Sequence, residues 1–299
     1  MNVLITGGTG FIGTRLSELI LDRGHSVISL STATQQGPIG HKHYRHITAD
    51  TSRKGAWQNE LQNVDAVVNL AGKTIFKRWN PVYKKEIYDS RILTTRNIVK
   101  AIPSGASTVL CSASAIGYYG DRGDELLPED AGLGHGFLAD VGKDWEEEAF
   151  QAIEKGIRVA TMRFGIALGR DGGAMSKMLP AFRLFVGGPL GDGRQWFSWI
   201  HIDDLTAAIL FIIENAAMSG PFNFSSPNPV RNQELAKTIG KMVARPSFMP
   251  APKILIRLAM GELGSTLLDS QRVIPANLLK AGFRFQYPDL ASTVRQIVE

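Results

Sequence analysis

The sequence predicts an α/β fold, a doubly wound parallel sheet with a smaller, mostly helical C-terminal lobe, and three observations carry that expectation. Short apolar runs and amphipathic helical stretches alternate through the first 168 residues, the pattern of strands and crossover helices in a parallel sheet. The first apolar run, Val3-Leu4-Ile5, ends in Gly7-x-x-Gly10-x-x-Gly13, and a helical stretch over 11–23 follows it. Beyond residue 168 the alternation fails: a glycine-rich stretch over 169–193 intervenes, and much of the remainder reads as helix.

The glycines of the opening turn have separate tasks. Gly7 permits the tight strand-to-helix turn, Gly10 leaves room for a pyrophosphate against the backbone, and Gly13 lets helix and strand pack closely. The helix start then offers unpaired N–H groups and a partial positive charge to phosphate. Gly7, Thr9, Gly10, Phe11, Ile12 and Gly13 are therefore the expected cradle of a dinucleotide, in a Rossmann-type arrangement.

A second strand over 26–30 leads to Ser31-Thr32. An acidic residue here would bind the ribose 2′-hydroxyl of NAD and repel a 2′-phosphate, so two neutral hydroxyls favour NADP(H). No arginine stands at this point; Lys42, Arg45 or Arg53 would have to supply the charge. A third strand over 44–49 ends at Asp50, a further cofactor candidate. The fourth, over 64–72, is the near-continuous apolar run of a strand buried on both faces. Its small, glycine-terminated end, Leu70-Ala71-Gly72, suits a cofactor lying across it. Pro81 opens a long helix that carries Glu86 and Arg91 and stops at Pro103 and Gly105. Those two charges miss the ideal i,i+4 spacing, which leaves solvated surface and cofactor contact both open.

The fifth strand, over 108–111, runs on into Ser112-Ala-Ser-Ala-Ile-Gly-Tyr-Tyr-Gly120. In open α/β sheets the ligand crevice lies outside the carboxyl ends of the strands, so hydroxyls and phenols there are placed for chemistry. Next come a helix over 137–151 and a sixth strand over 156–164. The stretch over 169–193, with one short helix over 175–185, is expected to form a mobile lobe over the crevice. Residues 196–204 alternate like a strand leading to a capped helix over 205–217, and 222–224 form a last strand. The expected division is a dinucleotide-binding domain over 1–168, with 195–228 returning to it. A substrate and lid lobe then takes 169–194 and 229–299.

Composition sets bounds on partners. The chain has 299 residues, 44% hydrophobic and 20% charged, which suits a globular protein. Its net charge of +5 comes from scattered basic residues with no run interleaved with aromatics, so nucleic-acid binding is not expected. Cys111 is the only cysteine, which excludes an intrachain disulfide and a thiolate cluster, and no His, Asp and Glu set has metal-ligand spacing. The longest apolar run, 205–213, is far below the ~20 residues of a membrane span. The chain opens directly on a strand, so a cytoplasmic location, no membrane partner and a small-molecule substrate are expected, with oligomeric state left open.

With these residues laid out, the chain resembles the extended short-chain dehydrogenase/reductase superfamily, and within it the NAD-dependent epimerase/dehydratase-like group called epimerase family proteins. The marks are Thr6-Gly-Gly-Thr-Gly-Phe-Ile-Gly13, Asn69-Leu-Ala-Gly72, Arg78-Trp-Asn80, Lys85-Glu86 with Ser90-Arg91, the 112–120 run, Trp145-Glu146, Arg163-Phe-Gly165 and Trp199-Ile-His-Ile-Asp-Asp-Leu205. The resemblance implies a Rossmann core, an NADP(H) site, a small C-terminal substrate lobe, and cofactor contacts from Glu86 and Arg91. Members usually carry arginine where Thr32 stands, so this chain departs where the 2′-phosphate would be read.

It departs again in its chemistry. The superfamily uses a tyrosine with a lysine four residues later, one helical turn on, to lower the phenol's pKa. No tyrosine here has that lysine: Tyr118 is followed at that distance by Arg122 and Tyr119 by Gly123. Lys143 lies on the appropriate helix, but Ala139 occupies the tyrosine's place. Ser114, Tyr118 and Lys143 are the expected substitutes as a proton relay, with Ser112 a cofactor contact. His201 reads as a satisfied interior histidine. The expected function is an NADP(H)-dependent oxidoreductase or epimerase acting on a small polar substrate, such as a carbonyl compound or sugar nucleotide. The alternative is a non-catalytic NADP(H)-binding redox sensor.

Overall fold

The computed structural model describes residues 1–34 and 39–299. Its main sheet has seven strands: β1 (Asn2–Thr6), β2 (Ser26–Ser31), β3 (Tyr44–Thr48), β4 (Ala66–Asn69), β5 (Val109–Ala115), β6 (Arg158–Phe164) and β7 (Gly220–Phe224). They lie in the order β3-β2-β1-β4-β5-β6-β7, every neighbouring pair parallel. The order reverses between β1 and β4, and a ligand crevice belongs at that switch point.

Alternation of side chains along each strand explains the apolar runs. Val3 and Ile5 of β1, Val68 of β4 and Cys111 of β5 enter one core with α1 (Phe11–Asp22), while Leu4, Val67 and Leu110 enter another on the opposite face. The second core is closed by α2 (Pro81–Ala101) and α3 (Phe137–Phe150) through Ile98, Ile102 and Ala149. α2 starts at Pro81, as the sequence suggested, and Asn80 before it caps the helix by accepting the Tyr83 amide at 2.8 Å. No apolar periodicity marks the 3₁₀ segment Ala56–Asn63, whose Trp57 and Leu61 fill the same core.

After β6 the chain builds a second, smaller core. The glycine-rich stretch opens with an antiparallel hairpin, Ile166–Gly169 against Gly172–Gly173, and continues into α4 (Met175–Arg183). Its glycines meet a packing need rather than a need for looseness. A Cβ at Gly172 would lie 2.4 Å from the Phe11 ring, so the hairpin folds down on the first residue of α1. The alternating run over 196–204 does not make one strand. Trp196–Phe197 pairs with Val230–Arg231, and Trp199–His201 pairs with Ile166–Gly169. The helix after it, α5 (Ile202–Glu214), starts three residues earlier than its pattern suggested because His201 Nδ1 accepts the Asp203 amide and caps it. The remaining helices are α6 (Asn232–Met242), α7 (Lys253–Met260), α8 (Glu262–Thr266), α9 (Ala276–Lys280) and α10 (Leu290–Val298). Leu168, Phe182, Trp199, Leu235 and Val294 form the centre of this lobe. Among the described residues no helix is long and apolar enough to cross a membrane.

Candidate cofactor site and active site

The turn between β1 and α1 is built as its glycines require. Gly7 takes a left-handed φ of +69, and Gly10 donates its amide back to Gly7 O at 3.0 Å before α1 begins at Phe11. A Cβ at Gly13 would stand 2.4 Å from Gly7 O, whereas one at Gly10 would meet only Gly7 O, at 3.1 Å. Gly13 is therefore closed in by backbone, and Gly10 opens outward beside the first-turn amides of Phe11, Ile12 and Gly13. Those amides precede the first intrahelical bonds of α1 and lack helix partners.

Two further segments abut this turn. Leu70 O and Ala71 N lie within 3.1 Å of where a Gly7 Cβ would be, and the Arg91 guanidinium lies 3.2 Å from where a Gly72 Cβ would be. Arg91 reaches this place from α2 by donating to Lys73 O and Ile87 O at 3.1 and 3.0 Å. Burial pulls it down to about 10, and among the described residues no carboxylate pairs with it. Glu86, one turn back, faces Lys73 at 3.3 Å with both side chains half-exposed.

At the β2 end, Ser31 Oγ accepts from Thr9 Oγ1 at 2.9 Å and from the Ala33 amide at 3.2 Å, and Thr32 is exposed. Of the three cations suggested for a 2′-phosphate, Arg45 forms a bidentate pair with Glu60, and Arg53 pairs with Asp50 at 3.3 Å. Lys42 is exposed. Asp50 also accepts from Ser52 Oγ at 2.6 Å, so its carboxylate is engaged within its own turn.

Below the crevice two buried polar networks take up groups that the sequence had assigned to ligand. In the first, Thr6 Oγ1 donates to Asn69 Oδ1 at 2.7 Å, and Asn69 Nδ2 donates to Thr95 Oγ1 at 2.9 Å and to Ser112 Oγ at 3.3 Å. The Ser112 hydroxyl thus faces inward to Asn69, which leaves its backbone for the expected cofactor contact. In the second, Ser114 is 2% exposed and donates to Glu146 Oε1 at 2.7 Å. Glu146 in turn holds Arg163 in a bidentate pair, 2.8 Å on each arm, and Arg163 Nη1 donates to Tyr119 OH at 2.8 Å. Burial alone would lower Arg163, but its bonds and charge pairing with Glu146 outweigh that and raise it. Burial likewise pushes the Tyr119 phenol up to about 12 against the pull of Arg163.

The expected relay is therefore not assembled. The Ser114 proton is held by a buried carboxylate, and Lys143 lies at the surface of α3, 3.6 Å from Glu147. Tyr118 differs: its ring lies 3.8 Å from the Arg163 guanidinium, and its hydroxyl makes no hydrogen bond among the described residues. His201 is buried and satisfied by Gln296 Oε1 at 3.0 Å, with burial lowering its pKa, as an interior histidine should be.

Sequence reasoning gave no role to Glu146 or Arg163, although both stood in quoted motifs; a charged residue inside an apolar strand such as β6 was the available signal. It also missed Asp269, just past α8. Its neighbours tie the C-terminal lobe to the turn after Tyr119: Ser270 N donates to Asp121 Oδ1 at 3.0 Å, and Gln271 Nε2 donates to Gly120 O at 3.1 Å. Burial, then the nearby Asp121, push the Asp269 carboxyl up to about 6. Close by, the Trp196 ring is flanked by Arg231 at 4.1 Å and Arg272 at 4.5 Å, and Arg272 Nε is buried without a hydrogen-bond partner. Among the described residues no His, Cys, Asp and Glu group could hold a metal.

Comparison with known proteins converges on the same reading. Residues 3–225 match the NAD dependent epimerase/dehydratase family, and residues 251–297 match a domain of unknown function, DUF1731. The chain is 39% identical, over its whole length and 87% of the relative's, to the chloroplastic epimerase family protein SDR39U1 homolog of Arabidopsis thaliana. It is 36% identical to the epimerase family protein YfhF of Bacillus subtilis, covering all of this chain and 98% of that one. Among solved structures it resembles the human epimerase family protein SDR39U1 (isoform 2), crystallised with NADPH, at 33% identity and a TM-score of 0.86 over 99% of both chains. A strand order that reverses beside a glycine turn, the family match over most of the chain and these full-length relatives together place it: the chain belongs to the NAD dependent epimerase/dehydratase family, among the epimerase family proteins.

Proposed function

We propose that this protein is an NADP(H)-dependent oxidoreductase or epimerase of the extended short-chain dehydrogenase/reductase type acting on a small polar substrate. The observation that carries the cofactor is Arg91: a desolvated guanidinium without a carboxylate partner, set across Gly72 from the glycine turn. A cation left unneutralised in a crevice is stabilised by an anion, and a dinucleotide phosphate supplies one. The residues fit the group. Gly7, Thr9, Gly10, Phe11, Ile12 and Gly13 would hold the pyrophosphate; Ser31 and Thr32 would face the ribose without repelling a 2′-phosphate; Leu70, Ala71 and Gly72 would form the floor. The NADPH of the human relative supports the choice of NADP(H).

When bound, the nicotinamide would supply hydride exchange with a carbinol or carbonyl carbon. The chain's own part is to orient the substrate and move a proton. Tyr118 offers a free phenol, and Asp269, with a carboxyl near 6, is able to hold a proton close to neutral pH. Arg272 would meet an anionic or strongly polar substrate group with its unpartnered Nε. Ser114 acts through Glu146 by fixing the Arg163 guanidinium under Tyr118, a positioning role. The sealed state of Ser114 favours one other reading, an NADP(H)-binding redox sensor without turnover. Steady-state NADPH oxidation with a panel of carbonyl compounds and sugar nucleotides separates the two. Turnover on any member supports the enzyme. No turnover, with calorimetry showing NADPH and NADP⁺ bound with different affinities, supports the sensor.

A further inference from the structure

The fold leaves eight large apolar side chains exposed within two short stretches, 184–186 and 248–258. The two stretches form one surface. Ala251 N donates to Pro189 O and Gly191 N to Ala251 O, each at 2.8 Å, and the Arg245 guanidinium lies 4.6 Å over the Phe185 ring. Phe248 is 80%, Ile254 78% and Leu258 70% exposed. On α7, Ile254, Leu255 and Leu258 face out together, while Ile256 is buried. Phe185 follows α4 at a φ of 65, a left-handed conformation that helix ends usually give to glycine, and its ring stays 57% exposed beneath Arg245. A contiguous apolar patch of this kind marks an interaction site.

Charge identifies the partner. Residues 174–191 and 235–261 carry seven lysines and arginines and no aspartate or glutamate, more than the whole chain's formal excess of +5. Of the acidic residues that border these segments, Asp192 is engaged with Lys253 at 2.9 Å and Glu262 with Lys84 at 2.7 Å. A second copy would set two predominantly basic patches face to face and repel itself. A bilayer surface with acidic headgroups answers both features: apolar side chains enter the acyl boundary, and arginines and lysines stay at the headgroups. At eight residues α7 cannot span the bilayer, so contact is in the plane of the surface. We propose that the α4–α7 face of the C-terminal lobe docks this protein peripherally on anionic lipid membranes.

The test is co-sedimentation of the full chain with vesicles of phosphatidylcholine, alone or mixed with phosphatidylglycerol, at low and raised salt. Binding is expected to the mixed vesicles, roughly tenfold or more weaker to phosphatidylcholine alone and at raised salt. The double variant I254E/L258E should lose roughly tenfold or more at an unchanged melting temperature. Should that variant fail to fold, Phe248→Ser, on a side chain with little to lose from the fold, carries the same expectation. The proposal is overturned by absence of binding to mixed vesicles at low salt, or by variants that bind like wild type. It is equally overturned if sedimentation velocity shows a dimer that I254E/L258E splits, since the face would then join two copies of the chain.

Discussion

The two halves of the crevice treat their polar groups in opposite ways. On the cofactor side, Arg91 lies desolvated without a counter-charge, and Gly10 opens outward beside unpaired amides. On the β5 side, Ser114, Glu146, Arg163 and Tyr119 satisfy one another in an unbroken buried chain. A group left wanting a partner at a crevice is poised for ligand. A group fully paired below it holds shape, because breaking the pairing exposes a buried charge. That contrast separates groups left open to a ligand from groups that hold shape, even though both sets of residues sit in equally recognisable motifs.

The largest expected effect breaks the supported half. Glu146→Ala strands the Arg163 guanidinium in the core and should cost about 3–5 kcal/mol in urea unfolding. Retained stability would mean that the network is not the support described. The open half is tested by a pair of glycine substitutions. Gly10→Val should weaken NADPH binding by roughly 3 kcal/mol, about 10²-fold by calorimetry, with the melting temperature kept. Gly13→Ala, whose Cβ would stand 2.4 Å from Gly7 O, should lower the melting temperature itself. If both behave alike, the two glycines do not divide the labour as claimed.

The boundary between the halves is sharpened by hydroxyl deletions. Ser114→Ala loses a bond to a charged partner and should destabilise by about 1.5–3 kcal/mol. Tyr118→Phe removes an unpaired phenol and should leave stability within about 0.5 kcal/mol, while kcat on a turned-over substrate falls by roughly 10²-fold or more. The reverse assignment of the two effects would restore Ser114 as the chemical group. The smallest effect is a pH dependence. Asp269 is raised in the folded state to about 6, so the folded state favours its protonated form, and stability is lost as pH rises from about 4 through about 6. Asp269→Asn should therefore gain on the order of 1 kcal/mol at pH 8 and nothing below pH 4 in paired thermal melts. No gain at pH 8 would place that carboxyl in solvent.

Much of the cofactor half was legible in sequence because its determinants are local. The glycine spacing, the strand before it and the helix after it are all set within the first 23 residues. Proline at the start of α2 and the two-faced apolar strands are equally local signals. The β5 end was legible as a motif but not as chemistry. Whether Ser114 meets a substrate or Glu146 depends on a residue 32 positions away, and no spacing rule encodes that pairing. Asp269 was invisible for the same reason: an ordinary aspartate becomes unusual only once burial and Asp121, 148 positions before it, act upon it.

The sequence by itself determined the α/β class, the parallel sheet of short buried strands, the glycine turn and the absence of the tyrosine–lysine pair, since each follows from periodicity, glycine placement or residue identity. Only the tertiary structure decided which polar groups are free. The run over 196–204 divided between two small sheets, Gly169, Gly172 and Gly173 closed on Phe11, Ser112 and Ser114 turned inward, and α7 kept its apolar stripe in solvent. Pairing and exposure are properties of distance in space, and a chain fixes those distances only by folding.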